Sequence, residues 1–165
     1  MKEILKYSSI LFVICLVAGV FLGGVYSVAQ PRIENTRQKQ EDEAVKQVMP
    51  HASKIQKEEK ESLVYYAATD SSGKLLGYVF ICEGKGYSSV IRSVVSTDPE
   101  GQIIAVKILE QNETPGLGTK ITGQEYLDGF KGKTMQDRLD TISGATISSV
   151  ALTESISNTL KRFFK

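Results

Sequence analysis

Lys74-Leu75-Leu76-Gly77-Tyr78-Val79-Phe80-Ile81-Cys82, running into Glu83-Gly84-Lys85-Gly86, decides the fold class. The run is rich in Val, Ile and Tyr-type residues that suit a pleated, half-buried surface, and the glycine-containing tetrapeptide after it reads as a turn, so a strand is predicted. Outward from it, Leu63–Thr69, Ser88–Ser96 and Gln102–Glu110 share that composition, separated by Asp70-Ser71-Ser72-Gly73 and Thr97-Asp98-Pro99-Glu100-Gly101. Turns this short join antiparallel neighbours, which predicts a meander. Beyond Glu110 the apolar period lengthens. Glu125, Tyr126, Leu127 and Phe130 fit a short helix, and Ile147, Val150, Ala151, Leu152, Ile156, Leu160 and Phe163 recur at helical spacing. Strands first and helices after is the pattern of an α+β domain, here an antiparallel sheet with a C-terminal helix packed on it.

Towards the amino terminus the character changes. From Ser8 to Ala29 no residue is charged, and Ile10, Leu11, Phe12, Val13, Ile14, Leu16, Val17, Val20, Phe21 and Leu22 make the stretch apolar all round. As a helix it is roughly 33 Å long, enough to cross the hydrocarbon core of a bilayer. Gly19 and Gly23 lie one turn apart, a small-residue face on which another membrane helix packs closely. Lys2, Lys6 and the Ser27-Val28-Ala29 tripeptide also fit a cleaved signal peptide, but the apolar core is longer than signal peptides use, which favours a retained anchor. Pro31 to Val48 is densely charged and reads as a juxtamembrane helix or stalk that Pro50 ends. A second charged patch, Lys54–Glu61, follows it. The expected division is therefore a transmembrane anchor over 1–30, a stalk over 31–60 and a folded domain over 61–165.

Charge and composition narrow the function. A net charge of +1 with no basic stripe gives no reason to invoke nucleic acid. Cys15 lies in the membrane run and Cys82 in a strand, segments that cannot meet, so neither a disulfide nor a metal site is expected. His51, the only histidine, has no ligand-spaced neighbour and reads as a solvated loop residue. A serine or threonine hydrolase built on Ser143 or Thr146 therefore lacks a base.

Three loops could carry chemistry. Asp140-Thr141-Ile142-Ser143-Gly144-Ala145-Thr146-Ile147-Ser148 opens directly into the last helix. A helix start offers unpaired N–H groups and the positive end of the dipole, where a phosphate sits well. Gly144 and Ala145 leave room there, while Ser143, Thr146 and Ser148 add hydroxyls. A plain serine-capped helix is the other reading of the same residues. Glu113-Thr114-Pro115-Gly116-Leu117-Gly118-Thr119-Lys120 places two glycines around a leucine, which lets the backbone lie close to a flat ligand or simply links strand to helix. Glu83-Gly84-Lys85-Gly86-Tyr87 is either a hairpin turn alone or one that brings Lys85 and Tyr87 beside a ligand.

In this order, after one transmembrane helix, these loops resemble the G subunit of the Rnf-type ion-translocating ferredoxin:NAD oxidoreductase. The C subunit of the sodium-translocating NADH:quinone reductase belongs to the same FMN-binding domain family. Asp140, Ser143, Gly144, Ala145 and Thr146 match each fixed position of the Asp-x-x-Ser/Thr-Gly-Ala-Thr sequence that a flavin transferase recognises in that family. The resemblance implies FMN bound covalently through its phosphate to Thr146, with Ser143, Gly144, Ala145 and Ser148 around it. It also implies that Glu113, Thr114, Gly116, Leu117 and Gly118 line the flavin pocket. The Gly86-Tyr87 pair also matches, but Ser88-Ser89-Val90-Ile91 stands where the family often has Gly-Gly-Pro-Ile, so the resemblance does not extend to this loop's ligand contacts. The long insertion expected of the quinone-reductase relative is missing, which points to the Rnf type. The implied protein is a one-electron carrier without a substrate of its own. Its expected partners are the membrane subunits of an Rnf complex and, for maturation, the flavin transferase, with the folded domain outside the cytoplasm. A carrier in another extracytoplasmic electron chain and a non-redox membrane-anchored adaptor are the alternatives.

Overall fold

Residues 2–165 are described by the computed structural model; Met1 and the Lys2 side chain, part of the basic start expected of the anchor, lie outside the described residues. The first element, α1 (Lys2–Val48), is one continuous helix of 47 residues. Anchor and stalk, expected as separate segments, are thus fused, with Pro31 inside the helix. Proline there removes the N–H that would reach the carbonyl four residues back. Along the first part of α1 the large apolar side chains from Ile4 to Val28 stand exposed, and this helix is long and apolar enough to cross a membrane.

The chain divides into two compact units, Met1–Gln40 and Glu41–Lys165. The second begins inside the segment read from sequence as stalk. It contains β1 (Lys54–Lys60), β2 (Leu63–Thr69), β3 (Leu75–Lys85), β4 (Val90–Thr97) and β5 (Ile103–Glu110), one antiparallel sheet in chain order. The meander is as expected, with one strand more. The charged patch at Lys54–Glu61 is an edge strand, paired with β2 from Lys54↔Thr69 to Lys60↔Leu63. Its turn is made by Glu61 and Ser62, both at positive φ (49° and 62°), where an Asn-Gly pair is the usual signal. Its charged residues suit a free edge, since they discourage another chain from adding to the sheet. A second correction concerns Glu83-Gly84-Lys85: these residues continue β3, and the turn is Gly86–Ser89, closed by the Gly86 N–H donating to the Ser89 carbonyl at 2.8 Å.

Both faces of the sheet are covered. On one lie α2 (Gln124–Asp128) and α3 (Thr146–Phe163), where Leu127, Phe130, Leu152, Ile156, Leu160 and Phe163 pack on Phe80, Cys82, Ile91, Val95, Ile103 and Val106. Burying a large apolar side chain of this kind contributes about 1.5–3 kcal/mol, so this core dominates the unit. On the other, Ala44, Val45, Val48 and Met49 from the end of α1 pack on Tyr66, Ala68, Val79 and Val94. There the Ser96 hydroxyl donates to the Val48 carbonyl at 3.0 Å, satisfying one of the acceptors a helix end leaves open. Arg92 joins three elements at the rim of this face, bonding Glu41 of α1 and, at 2.8 Å, Glu83 of β3, with Glu110 of β5 at 3.8 Å.

Candidate functional site

All three loops singled out in the sequence meet at the start of α3, and one carboxylate joins them. Glu113 follows β5 and is buried, with 4% of its surface exposed. Its Oε1 accepts the N–H groups of Ser88 at 3.0 Å and Ser89 at 2.9 Å, and the Ser89 hydroxyl at 3.1 Å. Its Oε2 accepts the Tyr87 N–H at 3.0 Å and the Ser148 hydroxyl at 2.5 Å. The hairpin after β3, the segment after β5 and the first turn of α3 are thus held at a single side chain. Burial alone would raise this carboxyl, but the bonds from Ser148 and from the Ser89, Tyr87 and Ser88 amides outweigh it and hold the group at about 2.

Glycines make this close assembly possible, each differently. A Cβ on Gly86 would lie 2.6 Å from Glu113 Oε1, one on Gly118 would lie 2.6 Å from Glu113 Cβ and 2.7 Å from Ser148 Oγ, and one on Gly84 would lie 2.3 Å from the Ala151 carbonyl of α3. Gly116 has open space around it but a φ of +74°, which an L side chain adopts with strain. Gly118→Val is therefore expected to push Ser148 off Glu113 and destabilise the unit by about 1–3 kcal/mol, whereas Gly116→Ala costs about 1 kcal/mol through its backbone alone. Thermal melts of the two variants separate these cases; equal melting points would refute the packing role of Gly118.

The start of α3 carries no side-chain cap. Ala145 occupies the N-cap position, and no acidic residue stands in the first turn. This corrects the serine-capped reading: the Ser149 hydroxyl accepts the Ile142 N–H at 3.0 Å and donates to the Ala145 carbonyl at 2.9 Å, bracing the loop and leaving the helix end uncapped. Gly144, at φ +79°, turns the chain into the helix. Thr146, Ser143 and Gly144 are exposed, while Ala145 and Ser148 are buried. The Ser148 hydroxyl faces Glu113, so it is a brace of the site, and Thr146 is the free hydroxyl of the first turn.

Beside this helix start lies an open pocket of about 530 Å³, lined by Tyr87, by Glu113, Thr114, Leu117 and Gly118, and by Gly144, Ala145, Thr146, Ile147 and Ser148. Its size suits a small-molecule cofactor. Gly116, Ser143 and Asp140 are not among its walls. Asp140 is exposed; its carbonyl accepts the Tyr126 hydroxyl at 3.0 Å, and its carboxylate lies 3.8 Å from the Lys133 ammonium. Burial, with the Asp140 charge, pushes the Tyr126 phenol up to about 12. One wall residue departs from the sequence reading: Ile147, expected on the buried helix face, is exposed at the pocket. Of the two residues that one reading of the hairpin brings beside a ligand, Tyr87 stands out as an exposed aromatic on this pocket, and Lys85 is not among its walls. With Leu117, also exposed, Ile147 and Tyr87 give the walls apolar surface. Among the described residues no group of His, Cys, Asp and Glu is arranged to hold a metal, and Cys15 and Cys82 are free.

Small residues, uncapped N–H groups, no acid in the first turn, an exposed hydroxyl and apolar walls together offer donors suited to a phosphate beside apolar surface suited to an organic ligand. Residues 86–161 match the FMN-binding domain family, a span that contains all three loops from Gly86 onward. Over 94% of its length the chain is 30% identical to the G subunit of the ion-translocating oxidoreductase complex of Methanosarcina acetivorans, covering 92% of that protein. It is also 30% identical to the G subunit of the Na(+)-translocating ferredoxin:NAD(+) oxidoreductase complex of Acetobacterium woodii, over 88% of this chain and 77% of that one. Among solved structures it resembles the C subunit of the Na(+)-translocating NADH-quinone reductase of Parabacteroides distasonis, with a TM-score of 0.54 and 27% identity over 62% of this chain and 61% of that one.

Proposed function

Since the chain belongs to the family of G subunits of ion-translocating oxidoreductase complexes, we propose that it is the electron-carrier subunit of a membrane-anchored Rnf-type ferredoxin:NAD oxidoreductase, holding FMN as a phosphate ester of Thr146 Oγ1. The observation that carries this reading is the uncapped, acid-free start of α3 with exposed Thr146 as its first residue, set on the pocket where three loops converge. FMN, when bound, supplies the redox chemistry. The protein supplies the hold. The N–H groups of the first turn offset the remaining phosphate charge, and Gly144 and Ala145 leave the approach unobstructed. Thr114, Leu117, Gly118, Tyr87 and Ile147 offer walls for the ring.

Asp140, Ser143, Gly144, Ala145 and Thr146 serve in this reading as the recognition sequence for the flavin transferase, and the exposure of Asp140, Ser143, Gly144 and Thr146 lets a second protein reach them. The ester keeps the cofactor from being lost outside the cell. The apolar part of α1 anchors the protein in a single pass beside the other membrane subunits of the complex, with the folded unit outside the cytoplasm.

The full chain made in a host with the transferase is expected to be yellow, bleached by dithionite and restored by air. A colourless protein would favour the non-redox adaptor. A cysteine placed at Ser72, in the exposed β2–β3 turn, is expected to react with a membrane-impermeant maleimide added outside intact cells. Labelling only after the membrane is opened would overturn the orientation.

A further inference from the structure

We infer that Glu113 is the positioning residue of this site, coupling the Tyr87 hairpin to the start of α3 so that Tyr87 is fixed relative to Thr146; the inference deepens the flavin reading and rests on it. Glu113 touches none of the groups expected to carry the ligand's phosphate. Its two oxygens instead tie the hairpin that carries Tyr87 to the first turn of α3. One holds Ser88 and Ser89, and the other is shared by the Tyr87 amide and the Ser148 hydroxyl. Ser148 lies two residues beyond Thr146 in the same helical turn, and Tyr87 is the exposed aromatic of the pocket. A shift of the carboxylate therefore moves both at once. Among the described residues the Ser148 bond to Glu113 is the side-chain hydrogen bond that links the first turn of α3 to the carboxylate holding the hairpin.

The carboxylate's chemistry makes this testable by an isosteric change. The Glu113 carboxylate receives five donors and gives none, and Gln offers an oxygen at one end and an NH2 at the other. With the amide oxygen kept on Ser88 and Ser89, the NH2 faces the Tyr87 N–H, donor against donor, while the Ser148 hydroxyl rotates to accept. Glu113→Gln thus releases Tyr87 and keeps the helix arm. Ser148→Ala removes the helix arm and frees the carboxylate, with the hairpin amides it holds, to move away from α3.

Hydrogen exchange is measured first, on the full chain made without the transferase, so that it does not depend on flavin. Ser148→Ala is expected to speed exchange about tenfold, the worth of one hydrogen bond, at the Tyr87–Ser89 amides as well as in the first turn of α3. Acceleration confined to α3 would overturn the coupling. Flavin fluorescence is then measured on the chain made with the transferase. A tyrosine beside the ring quenches an excited flavin, so Tyr87→Leu is expected to raise the yield severalfold, and Glu113→Gln to raise it towards the same level with attachment retained. In the double variant the two effects do not add. Wild-type yield in Glu113→Gln alongside a lowered melting point would make Glu113 merely structural and sink the positioning role. Absence of flavin from every form, with the coupled exchange intact, would refute the flavin reading and leave the coupling standing.

Discussion

Thr146→Ala is expected to eliminate flavin that survives denaturation and to leave the folded unit intact. Thr146 is exposed at the first position of α3, where alanine is the better helix former, so stability is expected to stay within about 0.5 kcal/mol of wild type. The hydroxyls nearby do not substitute for it. Ser148 is turned inward onto Glu113, Ser149 braces the Ile142–Ala145 loop, and Ser143 does not line the pocket. In-gel flavin fluorescence after boiling in detergent checks the result. A band of wild-type brightness from the variant would place the attachment elsewhere.

Acid is expected to weaken the folded unit through Glu113. Its ordinary value is 4.5 and the fold holds it at about 2. Because the folded value is the lower one, the stabilisation is complete above the ordinary range and is lost as pH falls from there towards 2. The full shift corresponds to about 3 kcal/mol. The groups that bond to it are amides and hydroxyls, none of which titrates in that window. Glu113→Gln cannot titrate, so the stability advantage of wild type over this variant should shrink by about 3 kcal/mol between pH 5 and pH 2. Denaturant titrations across that range measure it. An advantage constant with pH would mean that the carboxylate is not the group being held.

How much of this is legible in the sequence depends on which physical signal each element carries. Strands β2 to β5 announce themselves through apolar, β-branched runs and short turns, because their faces are buried. Strand β1 does not, because Lys54–Lys60 is an exposed edge with a single partner and its turn uses Glu61 and Ser62 at positive φ. The second covering layer is hidden for a related reason. Only Ala44, Val45, Val48 and Met49 at the end of a charged helix face the sheet, too short a stripe to read as a core. At the site, the sequence points to the three loops, since glycine, small hydroxyl residues and a helix start are local signals. What it does not supply is their convergence on Glu113, which joins residues more than twenty positions apart. Ile147 is out of phase with the core residues: at about 100° per residue it stands roughly opposite Leu152, Ile156 and Leu160 on α3, so it is exposed on the pocket and not packed on the sheet.

Covalent FMN on Thr146 is checked by the intact mass of the full chain produced with and without the flavin transferase. An increment equal to FMN less one water is expected only when the transferase is present, carried by the peptide that contains Thr146. An unchanged mass in the presence of active transferase, or an increment that maps to another residue, would contradict it.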